Sequence, residues 1–369
     1  MPPRVHVLIC IVYRRRISHD PQRCANIGTT KDRISDHMGL YSAIARPLLF
    51  RFPPETAHRV GDYALRFTPL WRALRPLLAT RNERLNTSVA GIEFPNPVGV
   101  AAGLDKDCKF LPGLLDIGFG FATGGTVTLD PRPGNARPRV IRETGQRALL
   151  NALGFPGDGL EAAEKQLQRL PVDRRSQILV SISGTEIEDI AECHRRLQPL
   201  VAGIEVNVSS PNTAGLRTFH EPENLDRLVS ALVAQRERPL LVKLPPWRND
   251  EERSEMIPMA ATSLKAGADG LVIANTHPTE DERLAMGRGG FSGAPLFGDT
   301  LRMVKDLRTE LGKDFALIAC GGIGTADQVW QLMQAGASAV QLYTSFIYEG
   351  PGLPGRINRD LVKLMSASH

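Results

Sequence analysis

The sequence has few cysteines, and their spacing argues against two common kinds of small stabilised domain. Among 369 residues there are five, which are Cys10, Cys24, Cys108, Cys193 and Cys320. Because the number is odd and no CxxC pair occurs, the chain is unlike both a secreted disulfide framework and a zinc-binding domain. We therefore expect a protein of a reducing compartment, with no metal site.

Long apolar runs and basic segments rich in aromatic residues are also missing. No apolar run reaches the roughly 18–20 residues that a transmembrane helix needs. Aromatic residues make up 6% of the chain and are not interleaved with basic runs, so the net charge of +5 does not indicate nucleic-acid binding. A basic surface can instead meet anionic lipid or an anionic substrate.

The first 37 residues differ from the rest of the chain. Their charges follow a short apolar run at residues 5–12, which is the reverse of a secretory signal peptide, and no periodic pattern continues to residue 36. We interpret residues 1–37 as a disordered leader, or as sequence upstream of a biological start at Met38.

Residues 38–85 have the apolar spacing of helices. Leu40, Ile44 and Leu48 recur every four residues, and the proline pair at 53–54 can end this helix and begin a second one. The second helix carries its apolar residues on one face, and Arg59 and Arg66 lie elsewhere on it. We expect two helices and a linker that either only pack on the following domain or also lie in a membrane interface, with the arginines at the headgroups.

The pattern after residue 96 predicts a barrel. Apolar, β-rich runs cover residues 96–103, 119–128, 178–184, 203–210, 239–246, 270–276, 316–323 and 339–345. Helical segments cover residues 187–197, 224–235, 251–266, 301–311 and 326–334. Continuous apolar strands that alternate with helices indicate a parallel sheet covered on both faces. Eight such strands fit a closed (β/α)8 TIM barrel better than an open sheet, and no GxGxxG follows the first run.

Polar residues concentrate where these runs end. Lys106 follows the first run, Asn207 and Ser210 end the fourth, and Asn275 ends the sixth. Buried lysine and asparagine are costly unless they are paired or functional. Since a TIM barrel carries its chemistry at the carboxyl ends of its strands, we expect an active site there.

Taken together, these segments resemble the dihydroorotate dehydrogenase family. The motifs, in the order of the family, are NPVGVAAGLDKD (96–107), GGTVT (124–128), PRPGNARPRV (131–140), NALGF (151–155), NVSSPNTAGLR (207–217), VKLPP (242–246), ANT (274–276), GGFSG (289–293) and CGGIGTADQVWQLMQAGASAVQLYTSFIYEGPG (320–352). The resemblance implies an FMN-binding barrel over residues 86–369. It also implies oxidation of dihydroorotate to orotate in pyrimidine (UMP) biosynthesis, with the flavin as redox group and the protein as positioning scaffold.

The resemblance also assigns the residues around the substrate. Ser210 matches the base that removes a proton from C5, and it needs activation because a free serine is a poor base. Lys106 matches the lysine that pairs with the substrate carboxylate. The other substrate-side matches are Asn151, Gly154, Phe155, Asn207, Asn212, Asn275 and Thr276.

For FMN, Lys243 matches a lysine near flavin N1, where positive charge stabilises the reduced anion. The remaining matches to the cofactor site are Ala102, Gly103, Thr126, Ser181, Asn207, Ala274, Gly293, Gly322, Tyr343 and Thr344. Of these, the last four belong to the phosphate region, where glycines let backbone N–H groups approach.

Three features favour the quinone-linked class of the family: serine at 210 instead of cysteine, the helical segment 38–85, and the lack of a NAD or iron–sulfur motif. The resemblance then implies electron transfer to a membrane quinone, with His58 and Arg139 on the quinone side and residues 38–85 as the docking domain. It implies a peripheral protein on the cytoplasmic face of the cell membrane.

Two departures from the pattern concern the flavin site. Ser181 stands where the quinone class has an asparagine, and KLPPW (243–247) is similar to the soluble class. One alternative is therefore a soluble dihydroorotate dehydrogenase linked to fumarate or NAD. Another is a different FMN-dependent TIM-barrel oxidoreductase such as a hydroxy-acid oxidase, which would need a His–Arg pair at the strand ends. A barrel that binds phosphate without activity would purify without flavin colour.

Overall fold

The computed structural model describes residues 41–213 and 215–367. The proposed leader at 1–37, the suggested start at Met38 and the helix position Leu40 lie outside the described residues. Residues Gly39–His369 form one compact unit, to which all described residues belong.

The strands fall into a barrel, a four-stranded sheet and a hairpin. They are β1 (Thr87–Val89), β2 (Ile92–Phe94), β3 (Val98–Val100), β4 (Phe121–Val127), β5 (Val140–Glu143), β6 (Ala148–Asn151), β7 (Ile178–Ile182), β8 (Gly203–Asn207), β9 (Leu240–Lys243), β10 (Gly270–Ile273), β11 (His277–Glu280), β12 (Arg288–Gly293), β13 (Ala316–Cys320) and β14 (Ala339–Leu342).

The barrel is closed and parallel. Its strand order is β3, β4, β7, β8, β9, β10, β13, β14, and β14 returns to pair with β3 through Val340 and Val98. Each of the eight predicted apolar runs contains one of these strands, so the predicted TIM barrel is confirmed. The runs are almost wholly apolar because one side of each strand faces the barrel interior and the other faces the helices.

Helices surround the barrel and precede it. They are α1 (Arg46–Leu49), α2 (Pro54–Arg66), α3 (Thr68–Leu78), α4 (Leu111–Asp116), α5 (Gly159–Gln168), α6 (Val172–Arg175), α7 (Ile187–Leu197), α8 (Pro222–Ala234), α9 (Asp250–Lys265), α10 (Phe297–Leu311), α11 (Ala326–Gln334), α12 (Thr344–Glu349) and α13 (Leu353–Ala367). The predicted helices 187–197 and 326–334 coincide with α7 and α11. A capping box between Thr325 and Gln328 fixes the start of α11.

The segment before the barrel has more helices than the two expected. A π-helical turn (Tyr41–Ala45) leads into α1, and the stretch after Pro54 is divided at Phe67 into α2 and α3. The Trp71 indole fixes this corner by donating to the carbonyl of Ala64 at 2.7 Å. Within the described part of the chain, every helix is too short or too polar to cross a bilayer.

A second sheet covers the carboxyl ends of the barrel strands. It is antiparallel, in the order β11, β12, β6, β5. Strands β5 and β6 follow β4 in the chain, and β11 and β12 follow β10, so both pairs are insertions at the same rim. The backbone of Asn151 on β6 pairs with that of Gly290 on β12, which joins the two insertions.

The β1–β2 hairpin closes the opposite end of the barrel. The ring of Phe94 stacks on that of Phe121 with centroids 4.6 Å apart, and both side chains are buried. They belong to an apolar cluster with Leu179, Leu241 and Val272. This plug excludes water from the lower half of the barrel.

We expect Phe94→Ala to lower the free energy of unfolding by about 3–5 kcal/mol, because it leaves a cavity under the barrel. Urea unfolding followed by circular dichroism measures the change. Phe52→Ala is the matched control, since Phe52 is 52% exposed. Equal stabilities of the two variants would contradict the role of the hairpin as a plug.

Candidate active site

A row of side chains at the carboxyl ends of β4, β7 and β8 forms a continuous hydrogen-bond network. Asn207 Nδ2 donates to Thr126 Oγ1 at 3.3 Å, and Thr126 Oγ1 lies 3.0 Å from Ser181 Oγ. The other end of Asn207 accepts from Ser209 Oγ at 2.8 Å, and Asn275 Nδ2 donates to Ser209 Oγ at 3.0 Å. The network brings four predicted site residues together.

This network shows how Ser181, which stands where the quinone class has an asparagine, is accommodated. The Ser181 hydroxyl has a compensating partner in Thr126, and the pair is buried. Sequence reasoning missed Ser209, although it stands in the SSPN motif beside Ser210. Its role follows from its position as the bridge between the amides of Asn207 and Asn275.

Lys243 lies at the end of β9 and is almost fully buried. Its Nζ is 3.5 Å from Glu205 Oε1 on β8. Burial lowers the pKa of Lys243, but the attraction of Glu205 more than offsets this, and the net pKa is raised. Glu205 was missed from the sequence. A glutamate in the apolar run 203–210 could have indicated it, because a buried carboxylate needs a partner.

Ser210 and Asn212 lie in the loop after β8. Ser210 Oγ accepts from the backbone N–H of Asn212 at 3.3 Å and lies 3.4 Å from Thr213 Oγ1. Asn212 Nδ2 donates to the backbone oxygen of Asn151 at 3.1 Å and to its side-chain oxygen at 3.3 Å. Asn212 Oδ1 is buried with no hydrogen-bond partner, so it can accept from a bound molecule.

The strand insertions shape the space around this amide pair. A Cβ on Gly290 would lie 1.8 Å from Thr276 Oγ1, which shows how closely β12 approaches the loop after β10. A Cβ on Gly154 would meet the Asn135 amide at 2.6 Å, and φ at Gly154 is +70°. Asn135, which the sequence did not reveal, donates to the carbonyl of Asn212 at 3.1 Å and holds this loop. Phe155 follows in a left-handed conformation.

Lys106 meets helix α2 at the barrel rim. Lys106 Nζ lies 3.4 Å from His58 Nε2. His58 Nε2 in turn lies 3.3 Å from Asp62 Oδ1. Burial and the charge of Lys106 lower the pKa of His58 to about 3, so the ring beside the lysine is neutral. Burial raises the pKa of Asp62 to about 6 and lowers that of Lys106. Asp62, one helical turn after His58, was not predicted.

Arg139 holds α2 against the barrel. Its guanidinium donates to Glu55 Oε1 from Nε at 3.0 Å and from Nη2 at 2.8 Å. It also donates to the carbonyls of Pro133 and Asn135 at 2.7 and 3.0 Å. Of the two residues predicted for the quinone side, His58 therefore lies on α2 and Arg139 anchors this helix.

Residues from β12, the β13–α11 turn and α12 meet in a glycine-rich region, where a Cβ on Gly324 would lie 3.2 Å from Ser345 Cβ. Gly322 has φ +72°, and a Cβ there would lie 2.2 Å from the backbone nitrogen of Phe297. Ser292 Oγ lies 2.9 Å from Thr344 Oγ1. Ser345 Oγ is buried with no hydrogen-bond partner. A hydroxyl without a partner beside glycine backbone fits a phosphate oxygen.

The remaining predicted positions lie along the same rim. The N–H of Gly103 donates to Gly125 O at 2.6 Å, and the hydroxyl of Tyr343 donates to Gly103 O at 3.4 Å. Burial raises the pKa of Tyr343 to about 12. Ala274 donates its N–H to Cys320 O at 2.8 Å. Ala102 precedes Gly103 in the β3 loop, and Gly293 ends β12 with φ +119°.

Asp62→Asn should become more stable relative to the wild type as pH rises. Because the folded pKa of Asp62 is raised above its unfolded value, ionising this carboxyl costs the folded state, and the cost is complete above about pH 6. We expect a relative gain of about 1–3 kcal/mol between pH 4.5 and 7.5.

Urea unfolding at both pH values measures this difference. Asp226→Asn, at an exposed position on α8, is the matched control and should show no pH-dependent difference. A constant difference between Asp62→Asn and the wild type would contradict the burial of this carboxyl.

Comparison with known proteins places this site in a family. The family model for dihydroorotate dehydrogenase matches residues 84–365. A dihydroorotate dehydrogenase (quinone) of Mesorhizobium japonicum is 38% identical over 334 residues, which cover 87% of this chain and 91% of the relative. The enzyme of the same name from Thermobifida fusca is 37% identical over 351 residues, covering 88% and 92%.

Solved structures give the same result. The chain is similar to DHODH from Eimeria tenella in complex with ferulenol, with a TM-score of 0.74, 29% identity and coverage of 85% of this chain and 92% of that one. The ligand-free form has a TM-score of 0.75, 30% identity and coverage of 85% and 96%. The resemblance predicted from the motifs is confirmed, and the chain belongs to the dihydroorotate dehydrogenase family.

Proposed function

We propose that the protein oxidises dihydroorotate to orotate with FMN and passes the electrons to a membrane quinone. The observation that carries this proposal is the rim network of Thr126, Ser181 and Asn207 beside the Ser210 loop, in which Asn212 Oδ1 is buried without a hydrogen-bond partner. The names of the relatives support the same reaction.

The residues fit FMN at two separated places. Ser345 Oγ and the backbone of Gly293, Gly322 and Thr344 would hold the phosphate, because the unpartnered hydroxyl belongs to the helix that contacts the glycine turn at Gly324. Lys243 and the network of Thr126 would face the ring. Bound FMN supplies the two-electron acceptor for the hydride from C6.

On the substrate side, the polar side chains serve either proton transfer or substrate binding. Ser210 Oγ would take the proton from C5 while its own hydroxyl proton passes to solvent through the Thr213 hydroxyl, which lies 3.4 Å away. The N–H of Asn212 donates to Ser210 Oγ and orients it. Asn151, Asn212 and Asn275 offer donors and acceptors to the cyclic imide and carboxylate. Lys106 supplies the positive charge for the carboxylate, and its present neighbour His58 is neutral and does not compete for an anion.

The helices before the barrel have the surface expected of a membrane-docking domain. Of the ten large hydrophobic side chains exposed in the described residues, eight lie between residues 44 and 77. The arginines at 51, 59, 66 and 72 are exposed among them. We therefore assign residues 38–85 to peripheral membrane contact and quinone access from the cytoplasmic side, and residues 86–369 to the FMN barrel.

Ser210→Ala should slow flavin reduction by dihydroorotate by about 10²–10⁴-fold while FMN stays bound, because the base is lost and the cofactor contacts remain. Anaerobic stopped-flow absorbance measures the rate. Ser176→Ala, remote and exposed, is the matched control. A near-normal rate in Ser210→Ala would remove this residue from the mechanism.

The double substitution Tyr63→Glu and Leu77→Glu should reduce binding to vesicles of phosphatidylglycerol and phosphatidylcholine by at least about tenfold. Both side chains are more than 70% exposed, and each new charge opposes insertion next to anionic lipid. Cosedimentation measures binding. The control pair is Val172→Glu and Met286→Glu, exposed hydrophobic residues that lie outside the segment before the barrel. Equal loss in both pairs would argue against docking through the helices.

A further inference from the structure

A glutamate lies inside the barrel, one layer below the strand ends. Glu205 on β8 is fully buried, and its strand neighbours Ile204 and Val206 are buried apolar side chains. It precedes Asn207 by two residues, so both side chains face the barrel interior. Burying a carboxylate costs several kcal/mol unless it is paired and hydrogen-bonded. The fold therefore retains a group that the packing of the core does not require.

The partners of Glu205 come from two other strands, and one of these partners is held by a third strand. Gln341 Nε2 on β14 donates to Glu205 Oε2 at 3.1 Å and also lies 3.0 Å from Thr123 Oγ1 on β4. Glu205 Oε1 makes no hydrogen bond, and Lys243 Nζ on β9 lies 3.5 Å from it. The amide thus fixes one carboxylate oxygen, and the other is directed at the lysine.

The lysine belongs to the level above. In the β8–β9 ladder, Lys243 is in register with Asn207, whereas Glu205 is in register with Leu241. Lys243 therefore extends from the level of the rim network down to the carboxylate. The charged and titratable groups that face it are Glu205 from β8 and the Cys320 thiol from β13, whose own pKa is raised by burial.

We propose that Glu205 is a positioning residue that keeps Lys243 protonated and oriented toward the flavin, and thereby sets the reduction potential of the flavin. This inference rests on the proposed function, because it requires FMN at the rim. Without the carboxylate, Lys243 is a buried ammonium with no counter-ion, and burial then favours its neutral form. In a variant without the carboxylate, Lys243 would therefore carry the positive charge that stabilises reduced flavin at low pH and would lose it as pH rises.

The test is the midpoint potential of bound FMN between pH 6 and 9 in the wild type and in Glu205→Gln. At pH 6 we expect Glu205→Gln to raise the midpoint potential of bound FMN by about 30 mV or more. For a two-electron couple this shift favours reduced flavin about tenfold. As pH rises, this gain should disappear through a new titration that is absent from the wild type and from Glu205→Gln/Lys243→Met.

Two further variants keep the result interpretable. Glu188→Gln, an exposed change on α7, should keep the wild-type potential at every pH. Glu205→Asp keeps the charge but lengthens the pair, and it should shift the potential in the same direction by less. If Glu205→Gln does not fold, Glu205→Asp decides the question.

The outcomes separate this inference from the proposed function. A wild-type protein that binds no FMN overturns both. A yellow wild type that dihydroorotate reduces, together with variants at position 205 whose potential and pH dependence match the wild type, overturns only the role of Glu205.

Discussion

Closure of the parallel barrel is the constraint on which the site depends. The β14–β3 ladder joins the two ends of the sheet, and because all eight strands run in the same direction, their carboxyl ends meet at one rim. Asn207 and Thr126 are 81 positions apart in the chain and form a hydrogen bond at this rim. The site therefore combines segments that lie far apart in the sequence, and any break in the ladder would separate them.

The barrel interior changes in character from one end to the other. At the hairpin end, Phe94 and Phe121 fill it with apolar side chains that exclude water. One level below the rim, Glu205 and Lys243 form a buried ion pair, and the rim itself is lined by hydroxyls and amides. Charges in such a dry interior act more strongly on a neighbouring group than they would in water. This change from apolar to charged and polar side chains places fixed charges next to the proposed flavin and keeps solvent away from it.

Most of the fold could be predicted from the sequence, because each barrel strand is a short apolar run and most of the long helices, though not α9, have periodic apolar positions. The second sheet was not predicted, since strands such as β5 and β11 are half-exposed and lack clear alternation. The division of the second N-terminal helix at Phe67 was also missed. Trp247, which suggested the soluble class, is a buried core residue whose indole donates to Asp306 at 2.9 Å.

The residues of the active site could also be predicted only in part. Residues in motifs, such as Ser210 and Lys243, could be named, but groups that matter through tertiary contact could not. Asp62 belongs to the site because α2 lies against the loop that carries Lys106, and Asn135 matters because Gly154 leaves room for it. The most direct test of the account is anaerobic addition of dihydroorotate to the purified protein. We predict that the flavin absorbance bleaches and orotate forms in equal amount; a flavin that stays oxidised, or a protein without flavin, would contradict the account.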